Sequence, residues 1–450
     1  MHNVFCISAG QLDIKKEPNI INKKNLYLNY GLLSLASILK RNGLNPIQIH
    51  GNFTSPKLFS EHCINLGIDK TQYPVLISIP SFYAINWVHE FTKTLKEEVK
   101  IKNIIVGGRW VIDGEVDQLK ELLPFVDTIV DGLGEKSIFD IFNISQFNRQ
   151  TYSKLDYNIL EDRELYQPSI EVSRGCGMGC DFCQEKDEKL LPLKSPQNIV
   201  LESNNIILHD KLNPMSLYFE ASHFKPTEEW LLDLINQREL YRQTFKWRSE
   251  SRADSNLTKF IPKLKESGMK VLDLGLESAS AIQLERMKKT KRPETYLEKA
   301  SSLLETAYQH DIDVKVNVLL YAGETQQTID ETYKWLDQHR RYIKGVSVGP
   351  VIAFGWDNKK IDFIKELESS GASIDHTEQL VGITNFNLSK NISANKAREL
   401  SKEISQDFMS AKDYYDLKSF SYFPRYYTYD DFISDIKQEN GNYSFDITGI

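Results

Sequence analysis

Three of the five cysteines in this 450-residue chain lie within eight residues, at Cys176, Cys180 and Cys183. Glycines precede the first cysteine and lie between the first and the second, so the backbone can bend around a bound group. Thiolates at this spacing can hold one face of an iron–sulfur cube, and three ligands for four irons leave one iron open to substrate. A structural zinc site is the alternative, but the nearest downstream histidines, His209 and His223, are far away in sequence. The spacing therefore favours a 4Fe–4S cluster.

The composition argues against several classes of partner. The net charge of −7 disfavours binding of duplex nucleic acid, which depends on neutralising phosphates. No window approaches the ~18 apolar residues of a membrane span, and residues 1–9 lack the basic flank of a signal peptide. The odd cysteine count disfavours a disulfide framework. We expect a cytoplasmic protein with no nucleic-acid or membrane partner, and a solvated turn rather than an RNA site at the basic run 288–292.

The elements that precede the cysteine motif alternate short apolar runs with helices. Strands are predicted at 4–8, 46–50, 75–79, 103–106 and 128–130. Helices are predicted between them, including one that ends at Gly43 and others at 84–99 and 115–123. This order predicts a doubly wound parallel sheet, whose ligands bind at the carboxyl ends of the strands.

A polar stretch at 143–155 reads as a linker, and the alternation then resumes. Strands are predicted at 169–173, 216–220, 245–250, 271–277, 314–321 and 345–352, with helices such as 228–237, 293–308 and 325–341 between them. Six such units predict a second parallel sheet curved into a partial barrel, with chemistry on its strand-to-helix loops. A charged helix at 394–413 precedes an aromatic cluster at 420–429, interpreted as a packing cap. We divide the chain into domains 1–145 and 160–385 and a C-terminal helical and aromatic segment, 386–450.

With Phe182 before its last cysteine, the motif resembles that of the radical S-adenosylmethionine (SAM) superfamily. Residues 171–176, 274–278 and 321–325 extend the resemblance, which covers 169–355. It implies a six-unit partial barrel, a 4Fe–4S cluster, and electron transfer from a donor such as flavodoxin or ferredoxin. Reductive cleavage of SAM would then give methionine and a 5′-deoxyadenosyl radical.

The resemblance also implies contacts to SAM. Glu220 would accept from its ammonium group, Arg252 would neutralise its carboxylate, and Glu277 and Ser278 would meet the ribose or the methionine end. Each residue has a structural alternative, which is an ion pair for the three charged residues and a helix N-cap for Ser278.

The first domain resembles the cobalamin-binding domain that precedes many radical SAM cores. The segments that carry this likeness are 30–33, 77–79, 107–108 and 132–135, and they imply Ser78, Gly107 and Gly108 as cofactor contacts. No Asp-x-His-x-x-Gly follows the first strand, although members without that motif bind cobalamin. The alternative is a domain that packs against the barrel and shapes its cavity.

The resulting hypothesis is radical modification of a small molecule or peptide, with cobalamin-dependent C-methylation first. A cobalamin-free rearrangement, epimerisation or bond cleavage is the alternative, and a non-enzymatic iron–sulfur module is the hypothesis from another class. Cys6 and Cys63 are too few for the second cluster of a methylthiotransferase. We expect the substrate to lie at the barrel mouth, roofed by the first domain, the loop 354–356 with Trp356, and the C-terminal aromatic cluster.

Overall fold

The computed structural model describes residues 3–12, 19–111, 116–144, 154–209, 216–356, 358–377, 380–439 and 441–450. Two parallel sheets follow one another along the chain, as expected for this fold class. The predicted linker 143–155 lies mostly outside the described residues.

The first sheet has the strand order β2-β1-β3-β4-β5, with every pair parallel. Its strands are β1 Asn3–Ser8, β2 Asn45–His50, β3 Val75–Ser78, β4 Ile104–Gly107 and β5 Thr128–Ile129. Its helices are α1 Ile20–Lys23, α2 Tyr30–Arg41, α3 Pro56–Asn65, α4 Ile85–Thr94, α5 Val116–Leu122 and α6 Gly134–Ile141. The strand order reverses beside β1, so the carboxyl ends of β1 and β3 form the crevice where such sheets bind ligands.

The second sheet places its six strands in sequence order, again all parallel. They are β6 Ser169–Glu171, β7 Ser216–Glu220, β8 Lys246–Arg252, β9 Met269–Glu277, β10 Asp313–Leu320 and β11 Gly345–Pro350. The helices around it are α7 Pro196–His209, α8 Glu228–Leu240, α9 Ile261–Glu266, α10 Ala281–Arg286, α11 Pro293–Gln309 and α12 Gln326–Gln338. Alternate strand residues face the helices and the lumen, which gives the partial barrel that the sequence predicts.

The last part of the chain adds two short antiparallel pairs and four helices. β12 Ala353–Phe354 pairs with β14 Ile383–Thr384, and β13 Ser373–Ile374 pairs with β15 Phe386–Asn387. The helices are α13 Asn358–Ser369, α14 Ala394–Asp407, α15 Ala411–Ser419 and α16 Tyr429–Gln438. The single predicted helix 394–413 is therefore wrong, because Ser410 caps a new helix by accepting from the backbone of Asp413.

The C-terminal aromatic cluster packs at the base of the barrel. Phe423 and Tyr427 join Tyr414 and Phe432 in one buried group that includes Val271, near the start of β9. The interpretation as a packing cap is confirmed. The expectation that this cluster helps to roof the mouth is wrong, because strand amino ends and strand carboxyl ends lie at opposite ends of a parallel barrel. None of the described helices is both long and apolar enough to cross a bilayer.

Candidate active site

The cysteine loop leaves the carboxyl end of β6 and folds back on itself. The backbone of Gly177 donates to the carbonyl of Glu188 at 2.8 Å, and that of Leu191 donates to Arg174 at 2.9 Å. Gly175 has φ +71°, and a Cβ there would stand 2.3 Å from the Lys189 carbonyl. Only glycine fits this close approach. The glycine thus lets the loop close beside the strand while the cysteines project from it.

Each of the three sulfur atoms has its own hydrogen-bond donor. The backbone of Met178 bonds the Cys176 thiol, and the backbone of Glu185 bonds the Cys183 thiol. Nη1 of Arg252 donates to Cys180 Sγ at 3.0 Å. Donors aimed at sulfur stabilise thiolates and are a means by which proteins tune iron–sulfur clusters.

The three thiols also interact electrostatically with one another. Burial raises the pKa of Cys183, and the neighbouring Cys176 and Cys180 add to the effect. Among the described residues, no three His, Cys, Asp or Glu side chains converge on a point suited to a single metal ion. A cube distributes its three ligands over three irons. Three mutually interacting thiols, each with its own hydrogen-bond donor, have the ligand chemistry of a 4Fe–4S cluster.

Arg252 holds the cysteine loop against the end of β8. Besides Cys180, it bonds Asp254 through Nε at 2.9 Å and the carbonyl of Lys289 through Nη2 at 2.6 Å. Its side chain is 5% exposed. The contact between Arg252 and the carboxylate of SAM stays a prediction, while the structure shows that the guanidinium already bonds a cluster cysteine.

Glu277 and Ser278 lie where β9 ends. Glu277 has φ +66° and accepts from Lys289 Nζ at 2.9 Å. Ser278 Oγ lies 3.0 Å from Thr332 Oγ1 and accepts from the backbone of Ser280 at 3.0 Å. Glu277 therefore makes the ion pair named as its alternative, whereas Ser278 is not a helix N-cap, because Ser280 precedes α10. The contact of both residues with SAM stays a prediction.

Lys289 is a site residue that sequence analysis missed. It belongs to the basic run expected to be a solvated turn, yet its side chain is 4% exposed, and its ammonium lies 5.9 Å from the centre of the Phe182 ring. Its neighbour Lys288 pairs with Asp181 of the cysteine loop at 2.7 Å. The expectation of a solvated turn is wrong for Lys289, because the carboxylate of Glu277 draws it into the barrel mouth.

A layer of carboxylates crosses the barrel lumen below the cysteine loop. Glu171 lies opposite Glu220 on the neighbouring strands β6 and β7, and Glu250 lies opposite Asp273 on β8 and β9. Arg174 binds Glu171 at 2.6 Å, and Arg248 bonds Asp273 through Nε at 2.8 Å. Glu220 and Glu250 have no such ion pair among the described contacts.

Glu220 is partly buried at the end of β7. Burial raises its pKa to about 8, the Ser169 hydroxyl lowers it, and Glu250 and Glu171 raise it further. Glu250 accepts from the Tyr218 hydroxyl at 2.5 Å and is solvent-exposed although it lies within a strand. The lumen therefore offers carboxylates that would gain a counter-charge from a cationic ligand.

Ser78, Gly107 and Gly108, the residues of the first domain predicted to contact the cofactor, lie close to one another. A Cβ on Gly108, whose φ is +114°, would stand 2.7 Å from Ser78 Oγ and 2.8 Å from the Ile79 nitrogen. One on Gly107 would meet Val130, at 3.4 Å from its carbonyl oxygen and 3.7 Å from its Cβ. Nδ2 of Asn29 donates to Ser78 Oγ and to Ser8 Oγ, both at 3.0 Å. The Asn29 amide thus bridges the ends of β1 and β3.

Ion pairs join the strand-end loops of the first sheet to the cysteine loop. Arg109, which follows β4, pairs with Glu185, two residues after Cys183. Glu135, at the start of α6, pairs at 2.6 Å with Arg174, which precedes the motif. The ligand-binding edge of the first sheet therefore faces the three cysteines.

Four aromatic rings close the interface beside these ion pairs. Trp356 meets Phe82 of the first domain edge-to-face, with ring centres 5.4 Å apart, and Trp110 lies 4.7 Å from Phe354. Trp356 thus packs on the first domain. A role for Trp356 as a lid stays a prediction.

The part of the chain that contains the three cysteines matches a known protein family. Residues 170–336 match the family model of the radical SAM superfamily. This part of the chain is a radical SAM domain. Radical SAM domains use a 4Fe–4S cluster and SAM, which are the cofactors expected from the spacing of the three cysteines. The sequence matches none of the curated proteins with which it was compared.

Solved structures share the whole layout. TsrM from Kitasatospora setae, a radical SAM methyltransferase solved with tryptophan substrate and a SAM analogue, matches with a TM-score of 0.62. The match has 14% identity and covers 89% of this chain and 83% of that one. OxsB, a cobalamin-dependent SAM radical enzyme solved with aqua-cobalamin and SAM, has a TM-score of 0.56 and 15% identity. That match covers 81% of this chain and 55% of OxsB, so the chain spans about half the length of OxsB. At these identities the likeness establishes the fold, and both sheets of the predicted fold class are confirmed.

Proposed function

We propose that this protein cleaves SAM reductively at a 4Fe–4S cluster and uses the radical to modify a small molecule or peptide. The arrangement of three cysteines, each sulfur with its own N–H donor, is the observation that supports this proposal best. Cys176, Cys180 and Cys183 would hold the cluster, which would supply the electron for breaking the carbon–sulfur bond of SAM. An electron donor such as flavodoxin or ferredoxin would replenish it.

The chain's own residues bind and orient SAM in this proposal. Glu220 faces the lumen from the end of β7 with no ion-pair partner among the described residues, which suits the ammonium group. Arg252 anchors the cluster loop and presents its remaining N–H to the carboxylate, while Glu277 and Ser278 close the side formed by β9. We also propose the domain division 1–145, 160–385 and 386–450.

Cobalamin-dependent C-methylation is the reaction that we propose first, which would make the protein a transferase. The strand-end edge of the first sheet faces the cysteine loop through Arg109–Glu185 and Glu135–Arg174. Ligands of doubly wound sheets bind at that edge. TsrM was solved with cobalamin and a [4Fe–4S] cluster bound, and OxsB was solved with aqua-cobalamin bound. A corrinoid would lie against the outer face of the turn formed by Ser78, Gly107 and Gly108, because no space is open between Gly108 and β3.

A cobalamin-free rearrangement, epimerisation or bond cleavage is the second candidate. The observation that favours it is the Asn29 amide, whose bonds to Ser8 and Ser78 span the crevice at the strand ends. A domain whose crevice is filled by its own side chain can serve to shape the cavity above the barrel.

Anaerobic reconstitution tests both levels of this proposal. The purified protein with iron, sulfide and dithionite should convert SAM into methionine and 5′-deoxyadenosine, measured by mass spectrometry. An intact cluster with no SAM cleavage would refute the activity. Added hydroxocobalamin that co-elutes with the protein and shows a bound corrinoid spectrum would support methylation. A dissociation constant weaker than about 1 mM, or ~4 kcal/mol, would favour the cobalamin-free reaction.

A further inference from the structure

One buried histidine at the barrel mouth has no hydrogen-bond partner in the described part of the chain. His223 is 4% exposed, and neither of its ring nitrogens bonds a described residue. A buried polar group left unpaired loses its hydration without compensation, and native proteins pair nearly all such groups. An imidazole with both nitrogens unpaired therefore points to a partner that does not belong to the chain.

The chain fixes this ring near Arg252, the residue that bonds the cysteine loop. His223 lies three residues after Glu220, and the next residue is tied to β8 by two hydrogen bonds. Phe224 donates its backbone N–H to the Glu250 carbonyl at 2.9 Å, and its carbonyl accepts from Ser251 Oγ at 3.0 Å. The next residue of β8 is Arg252, which bonds Cys180. The histidine and the cluster loop thus flank the same guanidinium.

The surroundings determine the protonation state of the ring. Burial lowers its pKa to about 4, and the cations Arg252, Lys225 and Lys289 lower it further, against the opposing effect of Asp254. The neutral imidazole carries one N–H donor and one lone pair. An N–H group in cationic surroundings suits an anionic acceptor, and a bound cluster would bring thiolate sulfur next to Arg252, which bonds Cys180 as well as Asp254.

We propose that His223 donates a hydrogen bond to a sulfur atom of the 4Fe–4S cluster held by Cys176, Cys180 and Cys183. This inference rests on the proposed function and adds a positioning residue to it. A donor to sulfur withdraws charge from the cluster and stabilises the reduced, more negative state, so it raises the reduction potential. His223 would thereby set how readily the cluster accepts the electron that SAM cleavage consumes.

The test is an anaerobic redox titration of the SAM-free, cluster-loaded protein, followed by EPR. His223→Phe keeps the buried volume and removes the donor, and the reduced-to-oxidised ratio at a fixed potential should fall about tenfold, a shift of about 59 mV for one electron. His223→Gln keeps an N–H donor and should recover most of the shift. His50→Gln alters a buried histidine of the first domain and should leave the potential unchanged.

A second measurement needs no variant that must fold. With ¹⁵N-histidine in the wild-type protein, pulsed EPR of the reduced cluster should show a weak nitrogen coupling from the donating ring. An absent coupling, or a potential in His223→Phe equal to that of the wild type, would overturn the inference. Wild-type protein that cleaves SAM in the same preparation leaves the proposed function standing, whereas a preparation that holds a cluster and does not cleave SAM refutes that function itself.

Discussion

Replacing Glu220 with glutamine should change how stability depends on pH. In the folded protein the pKa of Glu220 is raised from 4.5 to about 8, first by burial. The folded state therefore holds a proton that the unfolded chain releases, so the free energy of unfolding falls as the pH rises from about 5 to 8. At about 1.4 kcal/mol per pH unit, this single group removes at most ~5 kcal/mol. Glu220→Gln has no proton to lose and escapes the fall.

Thermal unfolding of the SAM-free, cluster-loaded protein at pH 5 and pH 8.5 measures this effect. With an unfolding entropy near 2.1 cal/mol/K per residue, ~5 kcal/mol corresponds to a Tm difference of about 5 °C for the whole chain. The variant and the wild type should have similar Tm values at pH 5, and the variant should be the more stable at pH 8.5. Glu298→Gln, on the exposed side of α11, serves as control and should show no pH-dependent difference. A Glu220→Gln curve parallel to that of the wild type would refute the reasoning.

Three further predictions concern the cluster, the interface and the first domain. Cys180→Ala should lose SAM cleavage while Cys63→Ala retains it, and cleavage in Cys180→Ala would contradict the assignment. Trp356→Ala should lower Tm, because an aromatic pair is worth about 0.5–1.5 kcal/mol beyond its buried area. The ratio of 5′-deoxyadenosine to product should stay constant, and a rise at unchanged Tm would show a lid. Gly108→Ala should lower the free energy of unfolding by about 1–3 kcal/mol, because a φ of +114° is strained for alanine and the new Cβ meets Ser78. Calorimetry would measure this loss, and an unchanged Tm would contradict it.

Sequence patterns predicted most of the fold because each buried parallel strand is a short apolar run. The strand predicted at 216–220 matches β7 at both ends, and the other predicted strands overlap the observed ones. The helix predicted to end at Gly43 stops at Arg41, with Gly43 in the left-handed conformation at φ +82°. The break between α14 and α15 escaped prediction because a charged stretch keeps its helical pattern across a single capping serine.

The cysteines could be predicted because their spacing is local, whereas their partners are brought together by the fold. Arg252 was expected to serve SAM, and its bond to Cys180 joins residues 72 positions apart. Lys289 lies in a basic run that looks solvated along the sequence. Arg109 and Glu185 carry no local pattern at all. Such contacts arise from the register of two sheets, which composition and periodicity do not specify.

The contacts of Arg248 at the base of the barrel determine when during synthesis the barrel can be completed. Arg248 is buried there and donates to the Leu417 carbonyl at 2.9 Å and to Ser421 Oγ at 3.0 Å, in addition to its pair with Asp273. During synthesis β8 and β9 leave the ribosome long before α15, so this ion pair stays open to water until α15 is made. The barrel is thus completed only after the synthesis of α15, and stable cluster insertion should follow that step. Truncation before Leu417 would leave Arg248 and Asp273 exposed to water at the base of the barrel. The damage would start at the end of the barrel opposite to the cysteines.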